Sequence, residues 1–181
     1  FGRVGAQMWA FEESGVIPDM VILGKPMGNG HPMGALFTTP KIASALDGME
    51  FFSTFGGNPV SCAIGMAVLD VIEREGLLNK AKQLGDYFTR GLKQLQTTHT
   101  AIGDVRGRGL FLGIDVVRDR DTLDPAPDLA HTIVDGMREM GVLLSTDGPL
   151  NNVIKIKPPM VLSEEDIDDS LAKLDTLLSK L

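Results

Sequence analysis

Cysteine is almost missing from this 181-residue sequence. Cys62 stands alone, so no internal disulfide can form, which fits a reducing compartment such as the cytoplasm, with mitochondria also open. An excess of positive charge is missing too. The formal net charge of -7 argues against nucleic acid or an anionic membrane as partner. No apolar run approaches the length of a membrane-spanning helix, and no basic start followed by an apolar stretch marks a signal peptide. Histidine occurs only at His31, His99 and His131, too scattered for a metal site or a catalytic triad, so no metal is expected. Internal repeats and low-complexity tracts are absent as well. What is present is ordinary for a globular chain: 43% hydrophobic and 23% charged residues, which excludes a disordered tail. The length suffices for one domain or two small ones with a buried core.

Lys25 carries the strongest chemical signal. It stands in Met20-Val21-Ile22-Leu23-Gly24-Lys25-Pro26-Met27-Gly28, where an apolar stretch runs out into glycines. Four apolar residues bounded by turn-formers read as a buried strand, and in open α/β sheets ligands collect beyond the carboxyl ends of strands. A lysine partly desolvated there loses some preference for the charged form, and only the neutral amine attacks an aldehyde to form a Schiff base. The alternative is a lysine that buries its stem and reaches out to water. A second candidate is Ser53-Thr54-Phe55-Gly56-Gly57-Asn58, which offers hydroxyls and unhindered backbone amides to an anion. The same residues also read as a Gly-Gly turn before a helix capped by Asn58.

Organisation follows composition. Up to about residue 58 the chain is rich in Gly and Pro with short apolar runs, including Ala35 to Thr38, as in strands joined by functional loops. From Pro59 a helical face of Ile64, Ala67, Val68, Val71 and Ile72 begins. A second helix over about 77–96 carries Leu84, Phe88, Leu92 and Leu95. Strands are predicted over 110–117 and 153–157, and helices over about 128–140 and 163–178, the last opened by something close to a Ser163/Asp166 capping box. The acids at 164–169 suit the first turns of that helix. Residues 77–181 thus read as an α+β domain, 59–76 as a linking helix, and 1–58 as part of a larger domain.

Together these segments resemble the class III pyridoxal-phosphate-dependent aminotransferases, of fold type I. Phe1-Gly2-Arg3-Val4-Gly5 resembles the segment after the family's Asp-Glu-Val-Gln motif. Pro18 through Lys25 resembles its cofactor-lysine strand, Gly34-Ala35 the start of the next strand, and Ser53 through Pro59 its phosphate-binding loop. Val105-Arg106-Gly107-Arg108-Gly109-Leu110 and Lys155-Ile156-Lys157-Pro158-Pro159 resemble landmarks of its C-terminal domain. The resemblance implies an α/β fold, the C-terminal part of the family's subunit: a remnant of the large three-layer domain plus a small α+β domain. It implies that Lys25 binds pyridoxal 5'-phosphate covalently and moves the α-proton as general acid and base. Ser53 and Thr54 would hold the cofactor phosphate. The matching threonine reaches the neighbouring subunit's cofactor, so a homodimer with shared active sites is implied, acting on a small-molecule amino donor and an oxo acid.

The chain also departs from the pattern. Lys155 stands where many members carry an arginine that grips the substrate carboxylate as a planar fork, which a lysine cannot imitate. This resembles members that act as phospho-lyases on phosphorylated amino alcohols, although Lys155 also reads as a strand-end surface lysine. Arg106 and Arg108 are weaker anion-binding candidates, and His31 reads as a solvated loop residue near Lys25. The family's ring-nitrogen aspartate would precede Phe1, so this stretch is expected to be catalytically poor by itself. A third reading is a non-enzymatic dimerisation fragment.

Overall fold

The computed structural model describes residues 1–181 and resolves into two compact units. One comprises Gln7–Leu77 with Phe1; the other comprises Leu78–Leu181 with Gly2–Ala6.

The first unit is short on regular structure. Strand β1 (Met20–Leu23) pairs antiparallel with β2 (Ala35–Thr38), Met20 opposite Thr38 and Leu23 opposite Ala35. A 3-10 turn, Lys25–Gly28, follows β1. After β2 a single helical turn, α1 (Pro40–Ala43), is capped by the Thr39 hydroxyl, which accepts from the Ile42 amide at 3.4 Å. Helix α2 (Pro59–Arg74) starts where the sequence predicts, because Pro59 occupies the first turn and Asn58 Oδ1 accepts from the Val60 and Ser61 amides at 3.0 and 3.1 Å. Its inner face holds Gly65 and Ile72 fully buried, with Ile64, Val68 and Val71 half-buried; Ala67 points to solvent.

The expectation that β1 is buried is corrected here. Met20 is 51% and Ile22 80% exposed, because the strand has a neighbour on one edge only and no helix covers the face that carries them.

The second unit contains the core. Helix α3 (Leu77–Thr98) leads into an antiparallel sheet ordered β3-β4-β7-β6, built from β3 (Ile102–Arg108), β4 (Phe111–Asp119), β6 (Ser145–Asp147) and β7 (Val153–Ile156), with the two-residue β5 (Asp124–Pro125) beside β4. Helices α4 (Pro127–Glu139) and α5 (Glu164–Leu178) complete it. Leu112, Ile114 and Val116 of β4 and Ile154 and Ile156 of β7 alternate inward and pack in one cluster with Phe88 and Leu92 of α3, Ile133 and Met137 of α4, and Ile167, Leu174 and Leu178 of α5. One face of the sheet is therefore dry, and the other carries Asp104, Arg106, Phe111, Asp115 and Lys155. Ser163 and Asp166 form the full capping box of α5: the Ser163 hydroxyl accepts from the Asp166 amide at 3.1 Å, and Asp166 accepts from the Ser163 amide at 3.0 Å.

Three strands escape the sequence reading. β3 has a register irregularity between Ile102 and Asp104 that breaks its alternation, while β5 and β6 are two and three residues long and lack an apolar face. The segment Gly2–Ala6 is also placed differently from the 1–58 grouping. The Arg3 carbonyl accepts from the Leu110 amide at 2.9 Å, and Arg3 Nη1 donates to the carbonyls of Leu110 and Pro158 at 3.1 and 2.5 Å, so the segment is stitched to the second unit.

Two predictions follow from this packing. Gly85 of α3 lies against the backbone of Gly109, so a Cβ at position 85 would overlap the Gly109 carbonyl. Gly85→Ala gains roughly 1 kcal/mol of helix propensity, yet it should lower the melting temperature of the second unit because main chain cannot yield as a side-chain tip can. An unchanged or raised melting temperature would show that the backbones part freely. The second prediction concerns acid. Four aspartates of this unit are held below the ordinary carboxylate range: Asp119 by the Thr122 amide and hydroxyl, Asp128 by the Arg118 guanidinium, Asp147 by the Lys155 ammonium, and Asp166 by the Ser163 hydroxyl and amide. A depressed folded pKa contributes stability above the unfolded value that is lost as pH falls through the folded one. The unit should therefore lose stability in urea titrations as pH drops below about 4, modestly because these groups lie at the surface; a midpoint flat from pH 5 to 2 would contradict this.

Candidate functional site

The end of β1 determines how Lys25 is presented. Gly24 continues the extended backbone, and Lys25 then turns into the left-handed region at φ 46°. For a residue with a Cβ this costs on the order of 1 kcal/mol and persists only where the surroundings enforce it. Enforcement comes from the turn itself: the Met27 amide donates to the Gly24 carbonyl at 3.4 Å and the Asn29 amide to the Pro26 carbonyl at 3.0 Å, with Asn29 also left-handed at φ 47°. The Lys25–Gly28 turn then packs against α2.

Lys25 is exposed, and its ammonium takes part in no hydrogen bond or ion pair. The desolvation expected of it is thus not found, for the reason that leaves β1 exposed: nothing in the chain covers this face. An unpaired, accessible amine at the end of a strand remains, held by a strained backbone.

The Thr54 loop combines both of its sequence readings. Ser53 Oγ accepts from the Gly56 amide at 3.0 Å, closing the turn, and Asn58 caps α2. Thr54 is exposed with its hydroxyl unpartnered. Gly57 adopts φ 68° with open space where a Cβ would stand, so an approaching group meets bare backbone there. Phe51, Phe52 and Phe55 are 80%, 83% and 81% exposed beside it.

One helix holds both elements. The Lys25 turn packs on α2 and the Thr54 loop runs into its first turn. Between them, His31 is half-buried and its Nε2 lies 2.8 Å from Ser61 Oγ, on the first turn of α2. His31 is thus not the solvated loop histidine that local sequence indicates. Nothing near it in sequence signals Ser61, thirty residues on.

Lys155 belongs to the second unit and is not free. Its Nζ lies 2.6 Å from Asp147 Oδ2 on the adjacent β6, a partner that the sequence did not reveal because β6 is too short to read. Arg106 is committed as well: it makes a bidentate pair with Asp115 at 2.5 and 2.7 Å and reaches Asp104 at 2.8 Å, and these carboxylates raise its pKa. That makes it a clamp across β3 and β4, not an open anion site. His99 bonds Asp175 at 2.6 Å, and His131 is exposed on α4.

Known proteins resemble this chain in sequence and in fold. The chain is 53% identical over 174 residues to the alanine–glyoxylate aminotransferase 2-like protein of Drosophila melanogaster, covering 94% of this chain and 35% of that one. It is 44% identical over 183 residues to the ethanolamine-phosphate phospho-lyase homolog 1 of Caenorhabditis elegans, covering 99% and 39% respectively. Among solved structures, a phospholyase from Arthrobacter in complex with phosphoethanolamine superposes with a TM-score of 0.96 at 44% identity, covering 100% of this chain and 43% of that one. A Bacillus anthracis aminotransferase gives a TM-score of 0.92 at 32% identity, covering 100% and 43%. The chain thus spans 35–39% of the length of these two curated relatives. Residues 1–178 match the family Aminotransferase class-III. By that match, which spans nearly the whole chain, the chain belongs to the class III aminotransferases.

Proposed function

We propose that this chain is the lysine-bearing and phosphate-binding part of a pyridoxal-phosphate-dependent enzyme that transfers an amino group from an amino acid or amine to an oxo acid. The observation that carries the reading is Lys25: an unpaired, accessible amine at the end of β1, on a backbone held left-handed at φ 46°, within a chain matched to the family over residues 1–178. Residues 1–58 are then part of the cofactor-binding domain, 59–76 the link, and 77–181 the small domain.

The residues present fit two ends of pyridoxal 5'-phosphate in a site shared between subunits, the amine end held by one chain and the phosphate end by the loop of its partner copy. Thr54 offers a free hydroxyl and Gly57 unshielded backbone to the phosphate, with Ser53 shaping the loop. Lys25 offers the amine for covalent attachment. When bound, the cofactor supplies an electron sink that makes the bond next to the substrate nitrogen labile. Lys25 Nζ would hold the cofactor covalently and, as a neutral amine, could take the substrate's α-proton as general base and deliver a proton as general acid. Covering of the Lys25 face by further polypeptide would favour that neutral form by desolvation.

A second reading, a phospho-lyase acting on a phosphorylated amino alcohol, is favoured by Lys155. A point charge in place of a planar fork suits a phosphate better than a carboxylate, and the phospholyase from Arthrobacter is more similar to the chain than the Bacillus anthracis aminotransferase, 44% against 32% identical. The readings part on products: phosphate and ammonia released from phosphoethanolamine, or an amino group delivered to an oxo acid.

A homodimer in the cytoplasm or mitochondria completes the proposal. The exposed Phe51, Phe52 and Phe55 beside Thr54 support it, since such a patch is apolar surface that a partner subunit would cover.

Pyridoxal phosphate followed by borohydride should leave its adduct on Lys25 in preference to the other lysines, as mapped by peptide mass spectrometry, and Lys25→Arg should abolish that preference. Labelling spread evenly over the lysines would sink the reading. Sedimentation should give twice the mass of one chain, and Phe55→Asp should shift it to the monomer; a monomeric wild type would remove the shared-site proposal.

A further inference from the structure

The open face of the second unit's sheet sorts its charges into rows. Strand register aligns Asp104 with Asp115 and, across Val153, with Asp147. The next row runs from Arg106 through Gly113 to Lys155. A third begins with Arg108 opposite Phe111, and Lys157, one residue past the end of β7, places its Nζ 5.6 Å from the centre of the Phe111 ring. Four cations therefore stand against three carboxylates on this face, although the chain as a whole carries a net charge of -7.

The cations differ in how far they are committed. Arg106 is held by Asp104 and Asp115, and Lys155 by Asp147. Lys157 is exposed and takes part in no hydrogen bond or ion pair; the contact it makes is with the ring. A ring face holds an ammonium through its quadrupole and takes up none of its three hydrogen-bond donors. One side chain fixes the backbone on both sides of this contact. Arg3 Nη1 donates to the carbonyl of Leu110, which precedes Phe111, and to that of Pro158, which follows Lys157.

We propose that Lys157 is a specificity-determining residue for the substrate anion: with Lys155 it supplies the second cation of a site for a phosphate monoester, and this second charge favours phosphate over carboxylate. The proposal rests on the phospho-lyase reading of Lys155 and names the residue that completes it. Alternate residues of a strand are roughly 7 Å apart, so two lysine side chains on one face can close on a single phosphate. Lys155 and Asp147 together are neutral, and as a pair they do little to tell a dianion from a monoanion. An added cation does, because Coulomb energy scales with the charge of the ligand: at equal distance Lys157 attracts a dianion twice as strongly as a carboxylate.

The test titrates the chain with ethyl phosphate and with propionate, ligands of similar size that differ in the anion, at low ionic strength and about pH 8, where the monoester is a dianion. Binding is read from the NMR shifts of the backbone amides over 111–113 and 153–157. The wild type should bind ethyl phosphate more tightly than propionate. Lys157→Met should weaken ethyl phosphate about fivefold, the upper range for one exposed ion pair, and propionate only about twofold, so that the ratio between them falls. Lys157→Arg, which keeps the charge, should keep most of the ratio. Lys80→Met, which removes an exposed lysine of α3, should change neither affinity. The phosphate of the cofactor is itself a monoester, so deoxypyridoxine phosphate, which cannot bond a lysine covalently, is titrated in parallel and should bind here no more tightly than ethyl phosphate. Much tighter binding of that probe at these residues would assign the site to the cofactor and overturn the proposal. A ratio unchanged in Lys157→Met, lowered equally by Lys80→Met, or lost in Lys157→Arg would also overturn it, while the wild type's preference for phosphate, and with it the reading of Lys155, would stand. If the wild type prefers propionate or binds neither ligand, the reading of Lys155 fails first and the proposal falls with it.

Discussion

Backbone resting directly on backbone, or on a single side-chain tip, is the constraint that organises both units. In the second, Gly85 lets α3 lie against Gly109, which in turn lies within 2.5 Å of the Arg3 carbonyl when measured from the position a Cβ would take. Three layers of main chain, α3, the β3–β4 turn and the Gly2–Ala6 segment, therefore stack with nothing between them. In the first unit, the missing side chain at Gly65 makes the notch that receives Met33. At each of these points the absence of a Cβ decides which elements can touch.

From that packing the chemistry acquires its supports. Lys25 is exposed and unpaired, yet its backbone is held in a conformation that isolated chains avoid. The Thr54 loop has its turn closed by Ser53 and its exit fixed by Asn58, so its remaining hydroxyl and bare backbone face outward. Both are fastened to α2, a helix with a strong cap and a proline in its first turn. A helix with a firm cap thus carries both glycine-containing loops of this unit, the Lys25 turn packed on it and the Thr54 loop running into its first turn.

Charge on the second unit is handled differently. The open face of its sheet places lysine and arginine beside aspartate, Lys155 with Asp147 and Arg106 with Asp115 across neighbouring strands, and Arg106 with Asp104 along β3. Such cross-strand pairs contribute little to stability at an exposed surface, but they set how available each cation is. Arg106 is held by two carboxylates, through three hydrogen bonds, and is a structural clamp. Lys155 has one partner, so its three donors are not all consumed, which is compatible with the anion-binding role proposed for it and makes Asp147 part of any account of that role.

The residues that were legible in the sequence are those whose signal is contiguous. Lys25 after its apolar run, Asn58-Pro59 before α2, the Ser163/Asp166 box, and the alternation of β4 and β7 all act over a few residues, and each is found in the structure within a residue or two of its expected bounds. Spacing and capping are local physics, so sequence determined the elements, and residues 1–178 carry the match to the family. The tertiary structure alone decided the rest. It showed that β1 is exposed, that Gly2–Ala6 belongs with the second unit, that β3, β5 and β6 complete a sheet, that Lys155 meets Asp147, and that His31 meets Ser61. Each of these joins residues whose proximity depends on strand register or helix packing. Neither is written in any short stretch of chain, because register and packing are settled by which surfaces the whole fold can bury together.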